Sequence, residues 1–119
     1  MTELELFAGI AVSDFERAVD WFERLLGKPA TFEAHATEHV WTLADGRSIY
    51  VELRPDRAGA AMVTFFVDDL DGVVDAAASR GIHPEHRETY GNGVRKVVYL
   101  DPDGNEIGIG GAPLEADRG

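Results

Sequence analysis

Cysteine is missing from this 119-residue chain. Its absence excludes disulfides, thiol nucleophiles and thiolate metal sites, and it fits a cytoplasmic protein. Bases are scarce: 11 Lys and Arg stand against 22 Asp and Glu, a formal net charge of −11. Phosphate backbones are held by clustered Lys and Arg, so nucleic acid is not an expected partner. The surplus of acid permits a cationic ligand, although surface acids also serve solubility alone. No apolar run approaches the ~20 residues that cross a bilayer, so no membrane partner is expected. The N-terminus, Met1-Thr2-Glu3-Leu4-Glu5, is acidic where a secretory leader is basic. Catalytic signatures are also lacking. Gly91-Asn92-Gly93 has no following Lys and helix to make a phosphate loop, and no Gly-x-Ser-x-Gly elbow occurs.

What is present is short-period patterning with clear punctuation. Residues 4–12 alternate as a strand, with Leu4, Leu6, Ala8, Ile10 and Val12 on one face and Phe7, Gly9 and Ala11 on the other. Ser13-Asp14-Phe15-Glu16 matches a capping box, with Ser13 as the cap. The helix it opens runs to about Leu26 and stops at Gly27, burying Phe15, Ala18, Val19, Phe22, Leu25 and Leu26, with Trp21 beside them. Strands are expected at about 30–35, 39–43 and 48–54, the last two joined through Asp45-Gly46. Residues 54–59 read as a linker. A further strand at 61–67 leads into a helix capped by Asp68-Asp69, burying Leu70, Val73, Val74 and Ala77 and ending at Gly81. Strands near 84–89, 93–100 and 106–110 complete the chain, and the tail from Ala112 is expected to fray. Asp101-Pro102-Asp103-Gly104 makes the last turn, with Pro at its first central position.

The two halves repeat. An offset of 55 residues places Val12 on Val67, Asp14 on Asp69, Val19 on Val74 and Asp20 on Asp75. Each half reads βαβββ, which makes the chain α+β, with modules at 1–57 and 58–119. Acid pairs Asp68/Asp69 and Asp101/Asp103 fall at caps and turns, where they have structural roles.

A βαβββ unit used twice, with Val-Ser-Asp-Phe-Glu opening the first helix, Val-Asp-Asp-Leu-Asp the second, and Asp-Pro-Asp-Gly-Asn before the last strand, resembles the vicinal oxygen chelate superfamily. Glyoxalase I, extradiol dioxygenases and the fosfomycin- and bleomycin-resistance proteins belong to it. The resemblance covers residues 4–111 and implies cup-shaped mixed sheets with the helices outside. It also implies a divalent ion in metal-dependent members, held from the first and last strands of each module. The first-strand ligand lies seven residues before the helix-opening Asp, which here gives Phe7 and Met62. The last-strand ligand lies four residues after the turn Gly, which gives Gly108 in the second module. In the first module the position falls on Tyr50 or Glu52, and only Glu52 suits as a ligand. At most one of four ligands is present, so no metal and no cofactor are expected at that centre. The histidines, His35, His39, His83 and His86, lie away from the first and last strands of both modules. A pairing of His39 with Glu52 is the one alternative they offer.

Phe7, Trp41, Tyr50, Glu52, Met62, Thr64, Phe66 and Tyr99 are the candidate ligand-binding residues, with Glu106 as a further cup-facing position. Apolar and aromatic walls with few polar anchors suit a small molecule. Trp41 or Tyr50 would stack on a planar ligand, and Glu52 with aromatic faces would favour a cation. The pattern is similar to bleomycin-resistance proteins, metal-free acidic dimers that sequester a cationic drug. The expected function is therefore metal-independent small-molecule binding by a homodimer, with no catalytic residue assigned. Two alternatives stand beside it: a glyoxalase-, lyase- or dioxygenase-like enzyme with a non-standard divalent metal site, and a non-catalytic interaction module with a filled cup.

Overall fold

The structure, a computed structural model, describes residues 4–113. The expected fraying of the tail falls, from residue 114 on, outside the described residues. In chain order the elements are β1 (Leu6–Val12), α1 (Phe15–Leu26), β2 (Phe32–His35), β3 (Glu38–Ala44), β4 (Arg47–Leu53), β5 (Met62–Phe66), α2 (Leu70–Ser79), β6 (His86–Thr89), β7 (Arg95–Leu100) and β8 (Glu106–Gly111). The expected linker holds one 3-10 turn, Pro55–Arg57. Two four-stranded sheets form, ordered β1-β4-β3-β2 and β5-β8-β7-β6. In each, the first strand runs parallel to the last and the other pairs are antiparallel. The βαβββ unit therefore occurs twice.

Turn chemistry sets the element ends. Gly27 sits at φ 78° and closes α1, its N–H donating to Glu23 O at 2.8 Å. Gly46 sits at φ 71° in the β3–β4 hairpin. The start of α1 differs from expectation. Asp14, not Ser13, caps the helix, accepting from the Arg17 N–H at 3.2 Å. Ser13 turns away, donating its N–H at 2.9 Å and its hydroxyl to the Asp103 carboxylate. The Asp-Pro-Asp-Gly turn of the second module docks there, and a carboxylate draws Ser13 more strongly than a helix amide does. In α2 Asp69 is the cap, accepting from the Gly72 N–H at 3.0 Å.

Each helix packs on one face of its sheet. Ala18, Phe22 and Leu25 of α1 meet Ile10, Val12, Trp41, Ile49 and Val51, while Leu70, Val74 and Ala77 of α2 join Val97, Tyr99, Ile107 and Ile109 in one continuous core. Trp21 is half-buried at its edge. Burying each large side chain contributes about 1.5–3 kcal/mol. Two further polar ties link the modules. Arg80, the C-cap of α2, donates to the Leu25 carbonyl at 3.2 Å and to that of Arg24, at the negative end of α1. Asn105, before β8, donates to Ala11 O of β1 at 2.9 Å.

Candidate functional site

Cross-strand partners share a sheet face, so the register fixes which side chains lie opposite the helices. In the first sheet that face carries Phe7, Gly9 and Ala11 of β1, Ser48, Tyr50 and Glu52 of β4, and Glu38, Val40 and Thr42 of β3. In the second it carries Met62, Thr64 and Phe66 of β5, Glu106, Gly108 and Gly110 of β8, and Lys96, Val98 and Leu100 of β7. Val40 and Val98 are buried yet stand outside the helix-side core, as floor residues of these two faces. Around them apolar side chains meet solvent: Phe7 is 48% exposed, Phe66 65% and Met62 78%. Exposed apolar groups gathered on a sheet face are of the kind that ligands or partners cover.

Six of the eight candidate residues lie on these faces: Phe7, Tyr50, Glu52, Met62, Thr64 and Phe66. Trp41 and Tyr99 do not. Trp41 pairs with Ile49 on the helix side and is fully buried; its indole N–H donates to Lys28 O at 3.0 Å and its ring lies 5.9 Å from that of Phe22. Tyr99 pairs with Ile107 on the helix side, also fully buried, and burial raises its phenol above the ordinary value. Both strands are apolar on alternate positions of either parity, so their sequence does not say which side faces the helix. Glu106 is on the open face, opposite Met62.

The glycines of these faces make room for side chains laid flat. At Gly9 a Cβ would come within 2.5 Å of the Tyr50 ring, and at Gly110 within 2.8 Å of the Phe66 ring. Each ring therefore lies across bare backbone. At Gly108 a Cβ would meet the Thr64 hydroxyl and the Lys96 Cε, each at 2.7 Å.

The superfamily's metal positions can now be read from the pairing. Tyr50 lies opposite Gly9, two residues beyond Phe7, and Gly108 lies opposite Thr64, two residues beyond Met62. These are equivalent points in the two sheets. Glu52 stands one pleat further along, opposite Ala11. By this equivalence the four positions that the resemblance implies fall on Phe7, Tyr50, Met62 and Gly108, and the space over the last holds a lysine side chain. A hard divalent ion wants carboxylates or imidazoles, so these residues do not fit the superfamily's metal.

The histidines fall elsewhere. His39 faces the helix side, edge-on to Phe15 at 4.9 Å, and cannot join Glu52 on the open face. His86 lies 3.2 Å from Glu88 on exposed β6. His35 stands with Glu38 and Glu52, a grouping that sequence reasoning missed. Its only sequence signal is a His and a Glu flanking a two-residue turn. A small cavity of about 120 Å³ adjoins Tyr50, Glu52, Arg54 and Arg57. A wider cleft, about 840 Å³, opens between the end of α1, the β3–β4 hairpin and the start of α2, and no sequence motif announced it. The acids at Asp101 and Asp103 are structural. The Asp101 carboxylate accepts from the Asp103 and Asn105 N–H groups at 2.9 and 2.8 Å, holding the turn.

Comparison with known proteins agrees with this architecture. Residues 6–109 match the family model described as the glyoxalase/bleomycin resistance protein/dioxygenase superfamily. A crystal structure described as a glyoxalase/bleomycin resistance protein from Catenulispora acidiphila is 53% identical, covers 93% of this chain and 100% of its own, and superposes with a TM-score of 0.90. A bleomycin resistance determinant encoded on transposon Tn5 is 20% identical, over 92% of this chain and 98% of its own, with a TM-score of 0.75. Lactoylglutathione lyase from Agrobacterium tumefaciens is 18% identical, over 93% and 94%, with a TM-score of 0.71. No curated protein matches the sequence. The last two structures share the fold alone, but the family match and the 53% relative go further: this chain belongs to the glyoxalase/bleomycin resistance protein/dioxygenase superfamily.

Proposed function

We propose that this protein binds a small aromatic or cationic molecule against its open sheet faces, as a cytoplasmic sequestering protein, without a metal ion at the superfamily's centre. The observation that carries this reading is the residue set at that centre, Phe7, Tyr50, Met62 and Gly108. Chemistry that needs a Lewis acid has no ligands there, whereas flat rings at Tyr50 and Phe66 offer stacking surfaces and Glu52 offers one charge. The ligand-binding set is Phe7, Tyr50, Glu52, Met62, Thr64 and Phe66. A bleomycin-binding protein complexed with bleomycin shares the fold at a TM-score of 0.72, which supports drug-sized ligands as a class. The exposure of Phe7, Met62 and Phe66 supports an open cup over a filled one. It also supports a homodimer of two-module chains, 1–57 and 58–119, in which a second copy covers the apolar faces.

The test is a thermal-shift screen of cationic antibiotics and aromatic metabolites, run in excess chelator. Binding to the native state raises the melting temperature, by about 2.7 kcal/mol of stabilisation at a hundredfold excess over Kd. The expected result is a ligand whose shift survives chelation and falls in Tyr50→Ala. A shift that disappears with chelator overturns the metal-free reading. Light scattering at micromolar concentration checks the dimer, and a monomer there refutes it.

A further inference from the structure

We infer that the rim of the first sheet carries a divalent-cation site made by His35, Glu38 and Glu52, separate from the superfamily's metal centre. The three residues form one row across three strands. His35 of β2 pairs with Glu38 of β3, and Glu38 pairs with Glu52 of β4. Their ligand atoms all lie within 4.8 Å of one another, and His35 Nε2 is 3.1 Å from Glu38 Oε1.

The row depends on a β-bulge. β2 pairs Phe32 with Val40 and Glu33 with His39, then shifts register so that His35 meets Glu38. Strict alternation from Phe32 would turn Ala34 to the open face and His35 to the helix face. The extra residue reverses that and brings the imidazole onto the face that holds the two carboxylates. Bulges are a recurrent device for re-aiming a side chain at a functional site.

Electrostatics gives an independent reason. Like charges directly opposite on neighbouring strands destabilise a sheet. Glu38 and Glu52 are such a pair, and among the described residues neither forms an ion pair with Lys or Arg. Arg54 and Arg57 border the small cavity beside Glu52, but Arg54 is directed to Asp56 at 3.8 Å. Among the described residues the one basic group within ion-pair distance of either carboxylate is the His35 imidazole, beside Glu38. A divalent ion would neutralise both carboxylates at once.

The imidazole also has its outer partner. The Thr37 hydroxyl lies 3.2 Å from His35 Nδ1 and can accept Nδ1–H when Nε2 gives its lone pair to a metal. The Thr37 N–H, 3.4 Å from the same nitrogen, would then turn to solvent at this exposed hairpin. One imidazole with two carboxylates suits a first-row ion such as Zn²⁺, Ni²⁺, Co²⁺ or Mn²⁺ and leaves coordination positions open. Tyr50, two residues before Glu52, takes no part, so this row is not the superfamily's ligand set displaced.

Isothermal titration of Zn²⁺ and Mn²⁺ into untagged, chelator-stripped protein tests the site. One ion per chain is expected, with Zn²⁺ tighter than Mn²⁺. His35→Ala, Glu38→Gln and Glu52→Gln should each weaken binding by at least about 10-fold, while Tyr50→Phe and His86→Ala leave it unchanged. Paramagnetic Mn²⁺ should broaden the His35 ring signals before those of His83 or His86. His35 and His86 are exposed and Glu38, Tyr50 and Glu52 half-buried, and circular dichroism confirms the fold of each variant. The inference is overturned by wild-type protein that binds no ion, by binding that persists in the three row variants, or by broadening centred on another histidine. Ligand binding in chelator is read separately, so either proposal can fail alone.

Discussion

Asn105→Ala should cost more stability than any other single polar substitution in the chain. Asn105 is fully buried and uses its whole side-chain amide. Its Oδ1 accepts from the Gly59 and Ala61 N–H groups at 3.1 and 2.9 Å, and its Nδ2 donates to Ala11 O at 2.9 Å and to the Asp101 carboxylate at 2.8 Å. One side chain thus ties the linker, the first strand of one module and the last turn of the other. Three neutral bonds at about 1 kcal/mol each and one to a charged group at about 1.5–3 kcal/mol set an upper range near 4.5–6 kcal/mol. Gly59, Ala61 and Ala11 are only partly buried, so water replaces some partners, and the expected loss is about 3–5 kcal/mol. For a chain of this length that corresponds to a fall in Tm of roughly 10–25 °C. Urea unfolding followed by circular dichroism, at fixed protein concentration, gives the value directly. Ser13→Ala is the control: it removes an exposed contact to the same turn and should cost less than about 1 kcal/mol. Asn105→Asp sharpens the test. It sets a second carboxylate against Asp101, so it should be severely destabilised at neutral pH and recover as the pair takes up a proton. An Asn105→Ala loss no larger than that of Ser13→Ala would refute the reasoning.

Three further outcomes follow from the geometry. Gly9→Ala places a methyl within 2.5 Å of the Tyr50 ring, so it should swing the ring off the sheet, change the near-UV tyrosine signal and cost about 1–3 kcal/mol. An unchanged signal would show that the ring does not rest there. Trp41→Phe removes a core hydrogen bond and leaves a void, with an expected loss of about 2–4 kcal/mol, while ligand affinity stays the same; a selective loss of affinity would return Trp41 to the site. Burial raises the Asp101 carboxyl above its ordinary value, against hydrogen bonds from Asn105 and Asp103 that lower it. The folded state therefore holds this proton more tightly than the unfolded state. The contribution of Asp101 to stability should fall as pH rises from the ordinary aspartate range through the folded value. The stability of the wild type relative to Asp101→Asn, measured across that range, should slope downward; an upward slope contradicts the assignment.

The sequence by itself determined what short-range chemistry controls. Gly27 and Gly46 mark a helix end and a hairpin because only glycine takes positive φ without strain. The apolar spacing placed both helices, and the repeat of Asp14 on Asp69 gave the double βαβββ plan. Counting four residues on from Gly104 reaches Gly108, which has no side chain to hold a metal. Other features needed partners far along the chain. Trp41 and Tyr99 suit a ligand wall by sequence, yet they point into the core, because a strand that is apolar at both parities carries no sidedness until a helix packs on it. Ser13 lost its capping role to a carboxylate 90 residues away. The choice between Tyr50 and Glu52 required the pairing of β4 on β1, since a register is a relation between two strands and neither encodes it alone. The His35, Glu38 and Glu52 row depends on one bulged residue, and a one-residue slip moves a side chain from one face to the other. Local turns and periods are written in the sequence; which face meets which is settled only when the sheets and helices come together.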